Sequence, residues 1–461
     1  SFKQTIFNSI NLILLLFLRK LNMNNYKIAI IGGGPSGMIA AIKAAQDLES
    51  GEKVVLIEKN DTLGKKLLLT GGGRCNIVNK TPLHDQIKYY NKNKNFIKHA
   101  LYTLTPEKIL TIFEDAGLSF HTEDNKRVFP DDEDAEVILD VLEEYLDDLE
   151  VNILLECEVD PNSIEHELDK DLNPIFNFEA IDENGKKINI SSEKLIVATG
   201  GTTYPTTGST GDGYKIAKNL NHSITQIKPG LVSFEIDDFL LTTLSGMVLE
   251  GVEVSFKDKK KKIKESGDIL ITHNGLSGPA IMNISNKLME KSDYDLLRDE
   301  EENELFKDTI TVDLLPDLTE EDIKEQITKD TPNQGTTKIK NYLKVFLPTN
   351  FIDYFLMTIA VSSNKTMASI TKKDKNKIAQ TLKAMQFEID DVIVDTAKVT
   401  IGGVKSDEIN SKTLESKYVD GLYFVGELLE MAGPTGGYNL EIAFSTGYLA
   451  AQEAVKSLSK N

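Results

Sequence analysis

At 461 residues the chain is too long for one ordinary hydrophobic core and calls for two or three domains. Its 40% hydrophobic and 27% charged residues describe a folded globular protein with no room for long disorder. With 72 acidic against 52 basic residues the net charge is −20, a field that repels nucleic acid and anionic membrane surfaces, so neither is expected as a partner. Residues 1–22 differ from the rest. Ile10 to Leu18 is an apolar run flanked by Arg19 and Lys20, and no acidic residue appears before Asp47. That run is well short of the roughly 20 residues a membrane span needs. Signal-peptide core and basic presequence are two readings. The preferred one makes Met23 the natural start and residues 1–22 an N-terminal extension without functional weight.

The next segment carries the chemistry. An apolar strand, Ile28 to Ile31, runs into Gly32-Gly33-Gly34-Pro35-Ser36-Gly37, then an Ala-rich helix, then Val54-Val55-Leu56-Ile57-Glu58. Gly32 serves the tight turn, Gly34 leaves room for a pyrophosphate, and Gly37 lets the helix pack close to the sheet. The helix N-terminus offers free N–H groups to the phosphates, and Glu58, about 20 residues on, can accept from an adenosine ribose. This strand, turn, helix and acid sequence specifies a site for ADP. The motif alone does not separate FAD from NAD.

Further along, Thr70-Gly71-Gly72-Gly73-Arg74-Cys75-Asn76 places three glycines in a row, which fits backbone lying against a ligand. Residues 105–117 and 134–149 read as helices, the first capped by Thr105 with Pro106 in its first turn, and Arg127 to Pro130 lies between them. Val151 to Val159 and Ile175 to Ile181 are strand-like, and Leu195 to Ala198 is a buried strand ending in Thr199-Gly200-Gly201. From about Asn221 the texture turns to short strands, at Leu231 to Ile236, Val248 to Phe256, Ile269 to Thr272 and Thr309 to Leu314. The runs Lys259 to Lys262 and Asp299 to Glu302 read as solvated connecting loops. Leu318 to Ala384 is helical, with caps at Thr319 and Thr371 and a break at Pro348. The β/α texture returns at Val392. The chain closes with a strand, Leu422 to Val425, then Gly426-Glu427, Gly433-Pro434-Thr435-Gly436-Gly437-Tyr438-Asn439 and a long helix. The nucleotide domain is therefore split and completed by the C-terminus.

Thr70 to Asn79, Arg127 to Pro130, His273-Asn274-Gly275-Leu276-Ser277-Gly278-Pro279-Ala280, Gly402-Gly403-Val404 and Gly426 to Gly447 together resemble the BaiN-like (YhiN-like) NAD(P)/FAD-dependent oxidoreductases. The resemblance runs from Met23 to the end. It implies an α/β fold: a split Rossmann-like FAD-binding domain with an inserted β-barrel domain and a small helical insert. The boundaries expected are FAD-binding residues 23–215 and 397–461, barrel residues 216–316 and 385–396, and helical residues 317–384. It also implies FAD, bound without a covalent link, against Gly32, Gly34, Ser36, Gly37, Glu58, Lys59, Lys66, Thr70, Gly72, Arg74, Gly200, Gly426, Glu427, Gly437, Tyr438 and Asn439. No second G-x-G-x-x-G unit is present, so NAD(P)H, if used, docks transiently as a donor.

The implied reaction is hydride transfer between flavin N5 and a small or medium organic substrate held between the flavin and the insert. Reduction of a conjugated enone is the leading form. Oxygen-dependent oxidation of an amine or aminoketone is an alternative, and a flavin-binding RNA-modification protein or a non-catalytic flavoprotein is a reading of another class. The acidic charge and the lack of a basic-aromatic stripe oppose RNA. His273 and Tyr204 are the catalytic candidates, each weighed against a plain turn or core role. Cys75 and Cys157 form no redox pair and no metal cluster, read as packing residues, and fit a reducing, cytoplasmic setting. No metal is expected, and oligomeric state is not legible.

Overall fold

A computed structural model of the chain describes residues 23–123, 125–259, 261–298 and 303–459. The proposed extension at 1–22 and the acidic run at 299–302 lie outside the described residues. The chain divides into two compact units, one running to Ile227 and resuming at Val399, the other spanning Lys228–Lys398.

The first unit is built on a parallel sheet. β1 (Asn24–Ile31) is followed by α1 (Pro35–Leu48) and β2 (Val54–Ile57). β3 (Asn152–Leu154) pairs in parallel with β2, and β4 (Lys187–Val197) pairs in parallel with the other side of β1. β5 (Leu422–Phe424), from the C-terminal part of the chain, pairs in parallel with the end of β4, Leu195 opposite Leu422 and Val197 opposite Phe424. The first half of β4 instead pairs antiparallel with Pro174–Ile181. Ile28 to Ile31, Val54 to Ile57 and Leu195 to Val197 are buried, as a sheet covered on both faces requires. α2 (Tyr438–Leu458) packs along α1, so tightly that a Cβ on Gly447 would stand 2.1 Å from the Ser36 carbonyl oxygen.

The second unit carries a seven-stranded antiparallel sheet in the order 385–389, 308–313, 248–258, 261–272, 275–277, 233–235, 391–393. Helix Pro279–Met289 lies against the long hairpin, where Ser285 and Asn286 accept from the N–H groups of Val232 and Leu231. Helices Glu320–Asp330, Ile352–Thr358 and Lys372–Lys383 bury Ile323, Ile327, Phe355 and Ile378. The first and last of these open on capping boxes, Thr319 with Asp322 and Thr371 with Asp374.

Several sequence expectations need correction. Val151 to Val159 is not one strand: it breaks into Asn152–Leu154 and Glu158–Val159, with Glu156 at φ 52° between them, so buried Cys157 sits in the turn rather than in a strand. Lys261 and Lys262 are not loop residues but begin the strand Lys261–Thr272, whose solvent-facing pleat tolerates lysines. Helix Pro279–Met289 was not expected within its segment. The helix begins directly after Gly278, with Pro279 at its first position, a start signal that the sequence does carry.

Candidate functional site

The turn after β1 is shaped by its glycines. Gly32 sits at φ 108°, and a Cβ on Gly37 would stand 1.8 Å from the Gly32 carbonyl oxygen, so this close approach of helix to turn excludes any side chain. Gly34, the residue capping α1, is different: a Cβ there would have no protein atom within 4 Å, and no side chain caps the helix. The loop thus leaves open space in front of an uncapped helix N-terminus, the geometry that receives a phosphate. Glu58 lies just after β2 and is buried. One carboxylate oxygen accepts from the Gly33 N–H at 2.7 Å, and the other from the backbone and side chain of Asn60 at 2.8 and 2.7 Å. Its neighbour Lys59 turns away, bonded to Asp212 and Thr210 at 2.6 Å each.

A second cluster joins four separate segments of the same unit. Lys66 donates to Glu427 at 2.7 Å and to Thr203 at 2.8 Å. The other oxygen of Glu427 accepts from the Thr400 N–H at 2.7 Å and from Thr203 at 3.2 Å. Two of the expected cofactor residues therefore satisfy each other. Gly426, at φ 68°, faces Ser36: a Cβ there would lie 2.6 Å from the serine hydroxyl oxygen, so this glycine and the α1 N-terminus are neighbours. Gly200 also has a positive φ, 73°. Tyr204 holds φ 57° and lies 5.8 Å from the Lys66 ammonium across its ring face. The hydroxyl oxygens of Thr199 and Thr202 are buried in this region without a protein hydrogen bond.

In the glycine-rich loop, Gly71, Gly72 and Gly73 all have positive φ, at 61°, 71° and 90°, and neither Gly72 nor Gly73 would bring a Cβ within 4 Å of another atom. Thr70 donates back to the Leu67 carbonyl at 2.6 Å and its own carbonyl accepts from Cys75 N–H at 3.0 Å. Arg74, expected against a ligand anion, is held by Glu123 at 3.1 Å and Glu133 at 3.0 Å and lies 4.1 Å over the Phe129 ring. Burial pushes the Cys75 thiol up to about 12, so it stays protonated at neutral pH and is a poor nucleophile.

α2 opens at Gly437, φ 102°, whose missing Cβ lets it approach within van der Waals contact of the Val78 backbone. Asn439 ties the preceding loop, accepting from Gly433 N–H at 2.8 Å and donating to the carbonyls of Gly433 and Pro434 at 3.1 and 3.2 Å. Tyr438 is buried beside Tyr89, ring centroids 5.3 Å apart. One residue that sequence reasoning missed stands a turn later. Glu441 is fully buried, accepts from the Asn79 N–H at 2.6 Å, and has its acid pushed up to about 8 by burial. Its signal in the sequence was an acid between Leu440 and Ile442 on the buried face of a helix. His273 belongs to the second unit, where it and Asn274 form the exposed two-residue turn between Thr272 and Gly275.

The family model for the HI0933-like protein Rossmann domain matches residues 26–453. The chain belongs to the HI0933-like family. As a member, it is an oxidoreductase with FAD as its cofactor. The open space at Gly34, the uncapped α1 N-terminus and the buried Glu58 carboxylate fit the pyrophosphate and ribose of that cofactor. Among HI0933-like relatives, the chain is 30% identical over 439 residues to the ribosomal RNA dihydrouridine synthase of Escherichia coli strain K12, covering 95% of this chain and 100% of that protein. It is 31% identical over 428 residues to the protein of the same name from Haemophilus influenzae, covering 92% of this chain and 96% of the other. With the 3-dehydro-bile acid delta(4,6)-reductase of Clostridium scindens it shares 28% identity over 431 residues, covering 93% and 99%. Among the described residues no helix is long and apolar enough to cross a membrane.

Proposed function

We propose that the chain is a flavin-dependent reductase that saturates a carbon–carbon double bond conjugated to a carbonyl group. One observation carries this reading. Relatives aligned over more than nine-tenths of the chain are named for a dihydrouridine synthase and for a bile-acid delta(4,6)-reductase, and both names describe addition of hydrogen across such a bond. FAD, when bound, supplies two-electron chemistry, and the protein supplies binding and orientation. Gly32, Gly34, Ser36 and Gly37 would receive the pyrophosphate, and Glu58 the ribose. The Lys66 to Glu427 ion pair would hold Gly426 and the Thr203 segment in place beside the cofactor. Gly437, Tyr438 and Asn439 would present the α2 N-terminus to the flavin ring, Thr70, Gly72, Arg74 and Gly200 completing the shell, with Lys59 bracing it through Asp212.

The substrate is proposed as a small or medium organic molecule, with His273 and Tyr204 as its positioning or acid groups. The expected insert is proposed to comprise a closed barrel, residues 216–316 and 385–396, and a helical part, residues 317–384, of which all but residues 216–227 fall in the second unit. Support comes from the two edge strands of that unit's sheet, Met385–Ile389 and Asp391–Ile393, which are separated by Asp390 alone. Two buried free cysteines suit a reducing compartment, taken here as the cytoplasm.

The test is anaerobic. The purified flavoprotein is reduced with NADH, NADPH or light, then mixed with a steroid 4-en-3-one acid, with unmodified ribosomal RNA, or with an α,β-unsaturated ketone, and an oxidised sample is mixed with amines. Conjugated carbonyl compounds should restore the oxidised flavin spectrum and yield a product heavier by two hydrogens. Bleaching of oxidised protein by an amine, with no response to any conjugated carbonyl, would replace the reductase reading with an amine oxidase.

A further inference from the structure

Glu441 is a buried acid that the cofactor contacts above do not use. It lies in the first turn of α2, four residues after Gly437, and none of its side chain reaches solvent. One carboxyl oxygen accepts from Asn79 N–H at 2.6 Å, which ties the strand Val78–Asn79 to the start of the helix. The other is buried with no partner. Gln86, also fully buried, donates to the Asn79 carbonyl at 2.7 Å and more weakly to Glu441 at 3.5 Å. That orientation leaves the Gln86 side-chain oxygen without a donor. Two buried oxygen acceptors in one cluster therefore lack a hydrogen from the protein, and a proton on Glu441 is the simplest donor to add, because a carboxylate only accepts.

The ionisable groups around it do not favour a charge. Glu107, on the helix Pro106–Asp115, and the phenols of Tyr90 and Tyr438 are the ones that feel Glu441, and all three are acids. Burial is the main force holding the Glu441 proton, and it outweighs the hydrogen bonds from the Asn79 N–H and Gln86, which pull the other way. An ionised Glu441 in the first turn would also offset the positive end of α2, the same end proposed to face the flavin ring.

We infer that Glu441 holds a proton in the resting protein and that its loss or gain is coupled to the electron state of the cofactor, making it a tuning residue for the flavin potential. This rests on the proposed placement of the α2 N-terminus at the ring. When two electrons arrive, negative charge develops at the cofactor, so an ionised Glu441 takes up one proton from solvent in addition to the proton taken up by the flavin itself. No other reactant is needed. Below the titration of Glu441 the carboxyl is already neutral, and its contribution to proton uptake vanishes.

The experiment compares the flavin-loaded wild type with Glu441→Gln, whose amide oxygen can still accept from Asn79 and whose NH2 can donate toward Gln86. Midpoint potentials are measured from pH 7 to 9.5, together with infrared difference spectra between reduced and oxidised protein. Wild type should show a window above pH 8 in which one further proton per two electrons is taken up, steepening the pH slope by about 30 mV per unit relative to the variant. A buried carboxylic acid band in the wild-type difference spectrum should be absent from the variant. Identical slopes in the two proteins, or a carboxylate band at pH 7 in the wild type, would overturn the inference. So would loss of flavin from Glu441→Gln, since that marks a binding role. A protein that purifies without FAD defeats the cofactor placement instead, and the absolute infrared spectrum at pH 7 then still decides whether Glu441 is protonated.

Discussion

Gly34 and Gly37 look alike in the sequence and differ in the structure. A side chain at 37 collides with the Gly32 carbonyl oxygen at 1.8 Å, whereas one at 34 meets no protein atom. Gly34→Val should therefore fold with a melting temperature close to that of flavin-free wild type and yet purify without FAD, its methyl groups filling the space meant for phosphate. Gly37→Ala should instead be destabilised, by roughly 1–3 kcal/mol as overpacking usually costs. Equal flavin content in wild type and Gly34→Val would remove the phosphate loop from where it is placed. Glu441 gives a pH prediction of definite sign. Its acid titrates near 8 in the folded protein, well above an ordinary glutamate, because burial disfavours the charge. Its contribution to stability is complete below the ordinary glutamate range and is lost as pH rises toward 8, an effect on the order of a few kcal/mol. Denaturant midpoints should thus fall between pH 5 and 8 in wild type and fall less in Glu441→Gln. Parallel curves would show that the residue is ionised throughout.

At the scale of elements, the helical part of the second unit leans on its caps. Asp374 accepts from Thr371 and from Lys365, and these bonds outweigh its partial burial to hold the carboxyl down at about 2. Thr371→Ala should cost about 1 kcal/mol, read as a shift in denaturant midpoint, with flavin content unchanged. His273 is the comparable case for function. It sits in an exposed two-residue turn, so His273→Ala should keep both fold and flavin and should lower turnover on a conjugated carbonyl substrate. Unchanged turnover would return the histidine to a turn role. Much of this architecture was legible beforehand. Thr105, Thr319 and Thr371 announced their helices, and Ile28 to Ile31 and Leu195 to Ala198 announced buried parallel strands, because caps and apolar runs are local signals. The break at Glu156 and helix Pro279–Met289 were read less well, since tertiary packing decides whether a short apolar run becomes strand, turn or helix.

For the whole molecule, the split of the nucleotide unit was visible because the final strand and helix return at the C-terminus, and β5 indeed pairs with the end of β4. The candidate site was legible only in part. Glycine spacing encodes a turn that backbone alone can express, so the shape of the loop at Gly32, Gly34 and Gly37 could be read directly. The ion pair of Lys66 with Glu427 and the capture of Arg74 by Glu123 and Glu133 join residues far apart in the chain, and no local pattern reveals them. FAD is proposed to bind in the first unit. Acid precipitation of the purified protein, with chromatography of the supernatant, decides whether it does. FAD should be released in amounts equimolar with the chain, leaving a colourless pellet. Release of NAD in place of FAD, or colour retained by the pellet, would contradict it.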